Sequence, residues 1–306
     1  MMYLLLVVGF VLLIKGADFF VDGASSVAKL LKIPSVIVGL TVVALGTSLP
    51  ELSVSLSASL SGNNDICLSN VIGSNMFNLL VVVGVSAVIC PMMTEQIIVK
   101  RDIWWSFGAA AVLLAMMIDG TISRIEGILL VAAIVAYIMV LIRYAQKNRL
   151  EGEEIKSLGA LKTIIYLILG PAAIIWGGNL VVDNATLIAK AIGMSDTFIG
   201  LTIVALGTSL PELVTSIVAA RKGDSGLALG NVVGSNIFNI LLIVGTSAAI
   251  TGGVASSVIL MIDTALLLIS TLIMFFICKS HNKIGRLEGA ICVAMYIAYT
   301  VYITLR

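Results

Sequence analysis

Long apolar runs separated by short polar breaks organise this chain. They lie near residues 2–22, 34–60, 67–91, 103–118, 125–143, 162–182, 196–219, 226–250, 264–278 and 287–304. Most have the length a helix needs to cross a bilayer, so the pattern predicts about ten transmembrane helices. The first and sixth extend as helices past those limits, through Ala28 and Ala189. Polar residues collect in one longer stretch, Gln146 to Gly159, near the middle of the chain. It is short and mixed in sign, which fits a solvated linker and not a domain.

The two sides of that linker repeat each other. GLTVVALGTSLPEL at Gly39–Leu52 returns as GLTIVALGTSLPEL at Gly200–Leu213, an offset of 161 residues. The same offset aligns Gly73-Ser74-Asn75 with Gly234-Ser235-Asn236, Asn78 with Asn239, Asp22 with Asp183 and Lys29 with Lys190. One residue of slippage later, Arg124-Ile125-Glu126-Gly127 matches Arg286-Leu287-Glu288-Gly289. The predicted organisation is a first repeat over 1–145, a linker over 146–159 and a second repeat over 160–306. Each repeat holds about five spans, and an odd number makes the second enter from the opposite side of the membrane. The halves are then related by a pseudo-two-fold axis in the membrane plane. The expected fold is an all-α membrane protein of two inverted five-helix repeats, with helices two and seven broken.

Composition strengthens the membrane assignment. The chain is 59% hydrophobic and 11% charged with mean hydropathy +1.14, where a soluble domain carries about 25% charge. The net charge of +1 gives no reason to expect a nucleic-acid partner, and no obligate protein partner is evident. Placing alternate loops on one side puts 14 of the 18 Lys and Arg there. By the positive-inside rule that side is cytoplasmic, both termini are extracellular, and the location is the plasma membrane. Trp104 and Trp105 beside Arg101 fit an interfacial anchor. Asp263 looks internal to span nine, but its repeat partner Asp102 lies at a membrane edge, so Asp263 is expected at the start of that span. Cys67, Cys90, Cys278 and Cys292 read as small apolar residues without pairing. The apolar N-terminus lacks a basic leader, and its segment recurs later in the chain, so it reads as a mature first span.

The candidate chemistry sits where each half breaks a helix, at Gly46-Thr47-Ser48-Leu49-Pro50-Glu51 and Gly207-Thr208-Ser209-Leu210-Pro211-Glu212. Proline has no N–H and clashes with the carbonyl four residues back. Gly46 adds backbone freedom, and Ser48 is placed to cap a new helix start. Carbonyls around Ala44 to Thr47 are expected to lose helical partners, which lipid tolerates only where they line a cavity or bind something. Glu51 and Glu212 fall on the first turn after each break, where the helix dipole favours negative charge. An intramembrane carboxylate costs about 3 kcal/mol on insertion scales, so two at matching positions need a common reason. Hard cations supply one, because they take carboxylate, carbonyl, amide and hydroxyl oxygens. Thr47, Ser48, Thr208 and Ser209 add hydroxyls, and the neighbouring span adds Ser74 and Asn78, or Ser235 and Asn239. Ser74 and Asn78 share one helical face. Taken singly, Ser, Thr and Asn in membrane helices act as interhelical glue; the duplicated set around two carboxylates is not explained that way. Gly73 and Gly234 would let this span pack closely on the broken one. Two ionised carboxylates match one divalent cation, and no Cys or His lies in the motifs, which disfavours softer metals relative to calcium. Sodium takes the same oxygen ligands.

GTSLPE twice, each followed by GSN-x-x-N, resembles the paired alpha-repeats of the calcium/cation antiporter superfamily, and most closely the prokaryotic sodium/calcium exchangers. The resemblance covers nearly the whole chain. It implies exchange of several sodium ions for one calcium by alternating access, with calcium and sodium as cargo in a lipid bilayer and no cofactor. By position it makes Glu51 and Glu212 the carboxylates shared by both ions, and gives calcium the backbone carbonyls of Thr47 and Thr208. Ala44, Ser48 and Ser74 would form an inner sodium site, and Ala205, Ser209 and Ser235 an outer one. Asn78 and Asn239 would lie at the centre. Asn239 stands where potassium-dependent relatives carry Asp, which argues against potassium coupling, and the short linker argues against a regulatory cytoplasmic domain. The family's first and sixth spans slide, and Gly16, Gly177 and Gly178 would suit that or simply close packing. The alternative is a proton/calcium antiporter on the same fold, although such relatives show GN-x-x-E at the break. A channel does not need a discrete two-carboxylate site, and a scaffold does not need the duplication. An enzyme would want His, Lys or Asp near the motifs. The only histidine, His281, falls in a loop, and Lys15, Asp18 and Asp22 on the first span are given no chemistry.

Overall fold

The computed structural model describes residues 1–149, 158–194 and 205–305. Its helices are α1 Met2–Leu31, α2 Ser35–Thr47, α3 Leu49–Leu60, α4 Asn64–Ile89, α5 Ile103–Met116, α6 Arg124–Lys147, α7 Ala160–Ala191, α8 Leu210–Arg221, α9 Ser225–Thr251, α10 Val258–His281 and α11 Arg286–Leu305. A short turn, Ala205–Gly207, precedes α8. Among the described residues, seven helices are long and apolar enough to cross a membrane, and α2 with α3 makes an eighth, bent by 48°. Two expected spans fall outside that set. α5 has 14 residues and follows a π-helical turn, Ile98–Asp102, that carries three charged side chains. α8 is preceded by residues 195–204, which lie outside the described residues together with most of the linker.

Local chemistry sets the helix ends. α1 stops where Lys32 turns left-handed (φ 53°) and its N–H returns to Ala28 and Lys29. Pro34 then disfavours helix at Ile33. α6 opens on a capping box, with Ser123 and Glu126 each bonding the other's backbone N–H. Asp224 and Ser257 cap α9 and α10 through Leu227 and Leu260. The extensions of the first and sixth spans hold, since α1 reaches Leu31 and α7 reaches Ala191.

Four short strands depart from the all-helical expectation. β1 Met92–Met93 pairs with β4 Lys283–Ile284, and β2 Thr121–Ser123 with β3 Gly253–Ala255. Each pair ties a loop of the first half to a loop of the second, satisfying backbone groups where the chain leaves the helices. Asp263 is not at a helix start. α10 begins five residues earlier, at Val258, and Asp263 lies buried in its second turn.

Two helices form the core. α9 is 94% and α4 72% buried over their apolar windows, whereas the other candidate spans are between 11% and 39% buried. This ranking separates the inner pair from helices that face lipid. Outside them, α1 and α7 pack against each other in antiparallel fashion. Gly9 faces Gly177, Gly16 faces Gly170, and Gly23 faces Tyr166 and Leu167. A Cβ on Gly16 would stand 2.9 Å from the Gly170 carbonyl, and one on Gly177 2.7 Å from the Gly9 carbonyl. For these two glycines close packing is therefore the reason for the residue.

Candidate functional site, a buried oxygen cage

The break between α2 and α3 falls at Ser48, one residue before Leu49-Pro50. Pro50 occupies the first turn of α3, where its missing N–H is tolerated. Ser48 makes no side-chain cap bond. Its hydroxyl crosses to the other half and donates to Glu212 Oε1 at 3.1 Å. The Ala44 carbonyl is not orphaned either, because the Ser48 N–H reaches it at 3.0 Å. What the bend supplies is position. It turns α3 so that Glu51, in its first turn, is fully buried against the opposite half.

The two carboxylates are held in matching ways. Ser74 and Ser209 each donate to Glu51 Oε1 at 3.1 Å and lie 2.7 Å from one another. Ser48 and Ser235 donate to Glu212 Oε1 at 3.1 and 3.5 Å. Ser235 also lies 3.5 Å from the Ala44 carbonyl and from the Thr47 hydroxyl. This regroups the serines. Ala44 and Ser48 keep company with Ser235 and Glu212, and Ser209 with Ser74 and Glu51. Ser74 and Ser235 are thus exchanged relative to the grouping that the family resemblance implies. The cause is that α2 packs on α9 of the opposite half, with a Cβ on Gly234 standing 2.7 Å from the Ala44 Cβ. Gly234 thus packs closely on a broken helix, but on that of the opposite half and not, as expected, on that of its own. Gly73 has nothing within 4 Å among the described residues.

Four asparagines cross-link α4 and α9 reciprocally. Asn75 donates to the Asn236 carbonyl at 3.1 Å, and Asn236 to the Asn75 carbonyl at 3.2 Å. Asn78 donates to Asn236 Oδ1 and Asn239 to Asn75 Oδ1, at 3.1 and 3.0 Å. Asn70 donates to the Ser55 hydroxyl and Asn231 to the Ser216 hydroxyl, at 2.9 and 3.0 Å. Thr47 Oγ1 lies 3.0 Å and Thr208 Oγ1 3.5 Å from the side-chain oxygens of Asn231 and Asn70. Asn70, Asn75, Asn231 and Asn236 were given no role from the sequence. The signal was present, since Asn70, Ser74 and Asn78 are spaced by four and share a face, as are Asn231, Ser235 and Asn239. Two π-helical turns, Asn78–Val82 and Asn239–Val244, start at the central asparagines. Such turns occur frequently at functional sites.

Four oxygens at this centre are buried and without a hydrogen-bond partner: Glu51 Oε2, Glu212 Oε2, Asn78 Oδ1 and Asn239 Oδ1. Buried acceptors are normally satisfied. Here the unsatisfied ones are two carboxylate and two amide oxygens, a donor set suited to a hard cation. All four are oxygens, and a set of oxygen donors favours hard cations over softer metals. A cavity of about 450 Å³ adjoins the cage, lined among others by Pro50, Ser53, Gly178, Asn179, Asp183, Thr208 and Pro211. At the opposite end of α1, Lys222 bonds Asp22 at 2.7 Å and the Asp18 carboxylate at 3.4 Å. Asp22 and Asp183 are repeat partners, so one member of the pair lines an opening and the other is locked in an ion pair.

The family model for sodium/calcium exchanger protein matches residues 1–143 and 162–305. The chain is 34% identical to the sodium/calcium exchanger MaX1 of Methanosarcina acetivorans, over 98% of this chain and 97% of that one. It is also 34% identical to the inner membrane protein YrbG of Escherichia coli, over 96% and 94%. Among solved structures, the sodium-calcium exchanger NCX_Mj soaked with sodium and strontium superposes with a TM-score of 0.85 at 32% identity, covering 97% of this chain and 96% of that one. With both halves matched and the match running the length of the chain, this multi-pass membrane protein belongs to the sodium/calcium exchanger family.

Proposed function

We propose that the protein exchanges sodium ions for calcium across the plasma membrane by alternating access, on ten spans arranged as two inverted repeats of 1–145 and 160–306. The observation that carries this reading is the set of four unpartnered oxygens on Glu51, Glu212, Asn78 and Asn239. Calcium takes Glu51 and Glu212 with the backbone carbonyls of Thr47 and Thr208. Sodium takes the same carboxylates, with Ala44, Ser48 and Ser235 on one side and Ala205, Ser209 and Ser74 on the other. Asn78 and Asn239 complete the centre. The carboxylate charge of −2 balances one calcium, and several monovalent ions can replace it only by spreading over more oxygens, which the duplicated serines provide.

Several observations support the inverted arrangement. α1 and α7 run antiparallel, as related first helices of inverted halves must. β1·β4 joins the third and ninth expected loops and β2·β3 the fourth and eighth, and each pair falls on one side in a ten-span layout. The positive-inside count puts the Lys222 end in the cytoplasm and both termini outside. The cavity beside Asp183 then opens outward while the Asp22–Lys222 pair closes the inner face.

The test is calcium uptake into liposomes loaded with sodium and diluted into sodium-free buffer. Uptake that needs the outward sodium gradient is the expected result. Uptake driven by a proton gradient and indifferent to sodium would transfer the protein to the proton-coupled alternative, leaving the carboxylate cage in place.

A further inference from the structure

α5 and α6 do not close against each other along their length. They leave a groove of about 660 Å³ walled by Trp104, Val112 and Met116 on one side and Leu129 and Ala133 on the other, with Leu241 of α9 at its floor. One end of the groove is cationic, formed by Lys100 and Arg101.

Two details distinguish it from an ordinary furrow between helices. The first is Gly108, which lies on its wall. Several helical glycines face a neighbouring helix within 3.1 Å, as Gly9, Gly16, Gly84, Gly127 and Gly245 do, and Gly178, which does not, lines the cavity beside the cage. A Cβ on Gly108 would meet nothing within 4 Å among the described residues. Glycine weakens a helix interior relative to alanine, and here no protein contact accounts for it. Its effect is to keep the groove wide. The second is Arg101. Its Nε and Nη2 bind the Asp102 carboxylate at 2.7 and 3.0 Å, and its guanidinium carbon stands 4.7 Å from the Tyr144 ring centre. Its Nη1 is buried and without a partner. Arginine donors favour phosphate oxygens. Lys100, beside it, is exposed, and Lys147 lies three residues past Tyr144 on the same face of α6. Asp102 neutralises one of these charges, so the mouth remains positive. Trp104 is 45% exposed there, the setting in which tryptophan marks the headgroup level.

We infer that this groove is a site for one anionic phospholipid, with its phosphate at the mouth formed by Arg101 and Lys100 and an acyl chain along Gly108 towards Met116. The occupant follows from the order of chemistries along the groove, a cationic mouth at the interface and an apolar bed running into the membrane. The floor residue Leu241 belongs to the π-helical turn that starts at Asn239, so the bound chain touches that turn. The binding claim stands apart from the transport reading.

The experiment is native mass spectrometry of the purified protein titrated with phosphatidylglycerol and, separately, phosphatidylcholine of the same chains. Wild type is expected to hold one phosphatidylglycerol at about a tenth of the concentration needed for phosphatidylcholine. Gly108→Leu, which fills open space, abolishes that adduct while the protein stays monodisperse and binds calcium. Ala133→Phe narrows the groove from the opposite wall and gives the same loss should the glycine variant not fold. Lys100→Gln removes the preference between the two lipids and keeps the adduct. Equal binding of both lipids by wild type, or a full phosphatidylglycerol adduct in both wall variants, would overturn the assignment.

Discussion

Glu51 and Glu212 each engage one oxygen with serine hydroxyls and leave the other without a partner. Without a cation, two buried carboxylates with orphaned oxygens oppose folding, and a bound ion reverses that. Calcium should therefore stabilise the protein, by about 2.7 kcal/mol at a hundred times its dissociation constant. Glu51→Gln and Glu212→Gln should abolish both this stabilisation and calcium uptake, while the ion-free variants melt at or above the wild-type temperature. A differential thermal scan with and without calcium reads the two stability effects and the liposome assay reads uptake, and an unchanged calcium shift in either variant would remove that carboxylate from the site. The asparagine cross-links carry a different expectation. Asn236→Ala strips the partner from the Asn75 carbonyl and from Asn78 Nδ2, at about 1–3 kcal/mol for each group left unsatisfied. Stability should fall even when the ions are absent, separating a framework residue from a ligand. Glu95, in the loop before the π turn, has its carboxyl raised above the usual range by burial first, then by the charges of Asp224 and Asp102. A raised carboxyl contributes its stability below its unfolded value and loses it as pH rises through the folded one. Glu95→Gln should then stabilise the protein at pH 7.5 and change little near pH 4. The opposite ordering of melting temperatures would show that the local charges do not act as described.

At the scale of elements, α1 and α7 offer a contrast between adjacent residues. A Cβ on Gly177 would press on the Gly9 carbonyl and the Leu13 N–H, both at 2.7 Å, whereas one on Gly178 meets nothing within 4 Å among the described residues and faces the cavity. Gly177→Ala should cost about 1–3 kcal/mol as overpacking. Gly178→Ala should be neutral or stabilising by up to about 1 kcal/mol. Equal effects in paired denaturation measurements would mean that the two helices are not locked at this crossing. Legibility in the sequence follows the same division. The repeat was readable because a 161-residue offset preserves whole motifs, and the bend because proline and glycine act locally. The apolar runs placed most helices within a few residues. The π turns at Asn78 and Asn239 were not readable, since no residue type announces an extra residue per turn. The serine grouping was missed because it depends on α2 packing against the other half's α9, a contact between distant segments. Asp263 was displaced by reasoning from Asp102 alone, although its helix had room for another turn before it. The strand pairs involve two or three residues each, too short to leave a period.

Across the whole molecule the two halves are matched at the cage and differ at the ends. Lys222 joins α8 to Asp18 and Asp22 of α1, with an additional bond to the Asp18 carbonyl at 3.0 Å. The residue 161 positions earlier is Ser61, which has no charge to offer Asp183 in return. The Lys222 end is thus bridged by ion pairs, and the Asp183 end carries the cavity without a matching lysine at that repeat position. The strength of this bridge is bounded. Lys222 and its partners are partly exposed, with side-chain exposures of 33%, 33% and 47%, and such pairs contribute about 0–1 kcal/mol each. Removing the Lys222 charge should then weaken closure at that end by at most about 2 kcal/mol, or about thirtyfold. Lys222→Gln is expected to raise amide exchange in residues 15–31 and 215–225 and to lower it around residues 175–183, with the cage intact by calcium-induced stabilisation. A rise at both ends would mean that the variant loosens the fold generally. A rise at the Lys222 end without any fall at the other would mean that the two ends open independently, despite the close glycine contacts between α1 and α7.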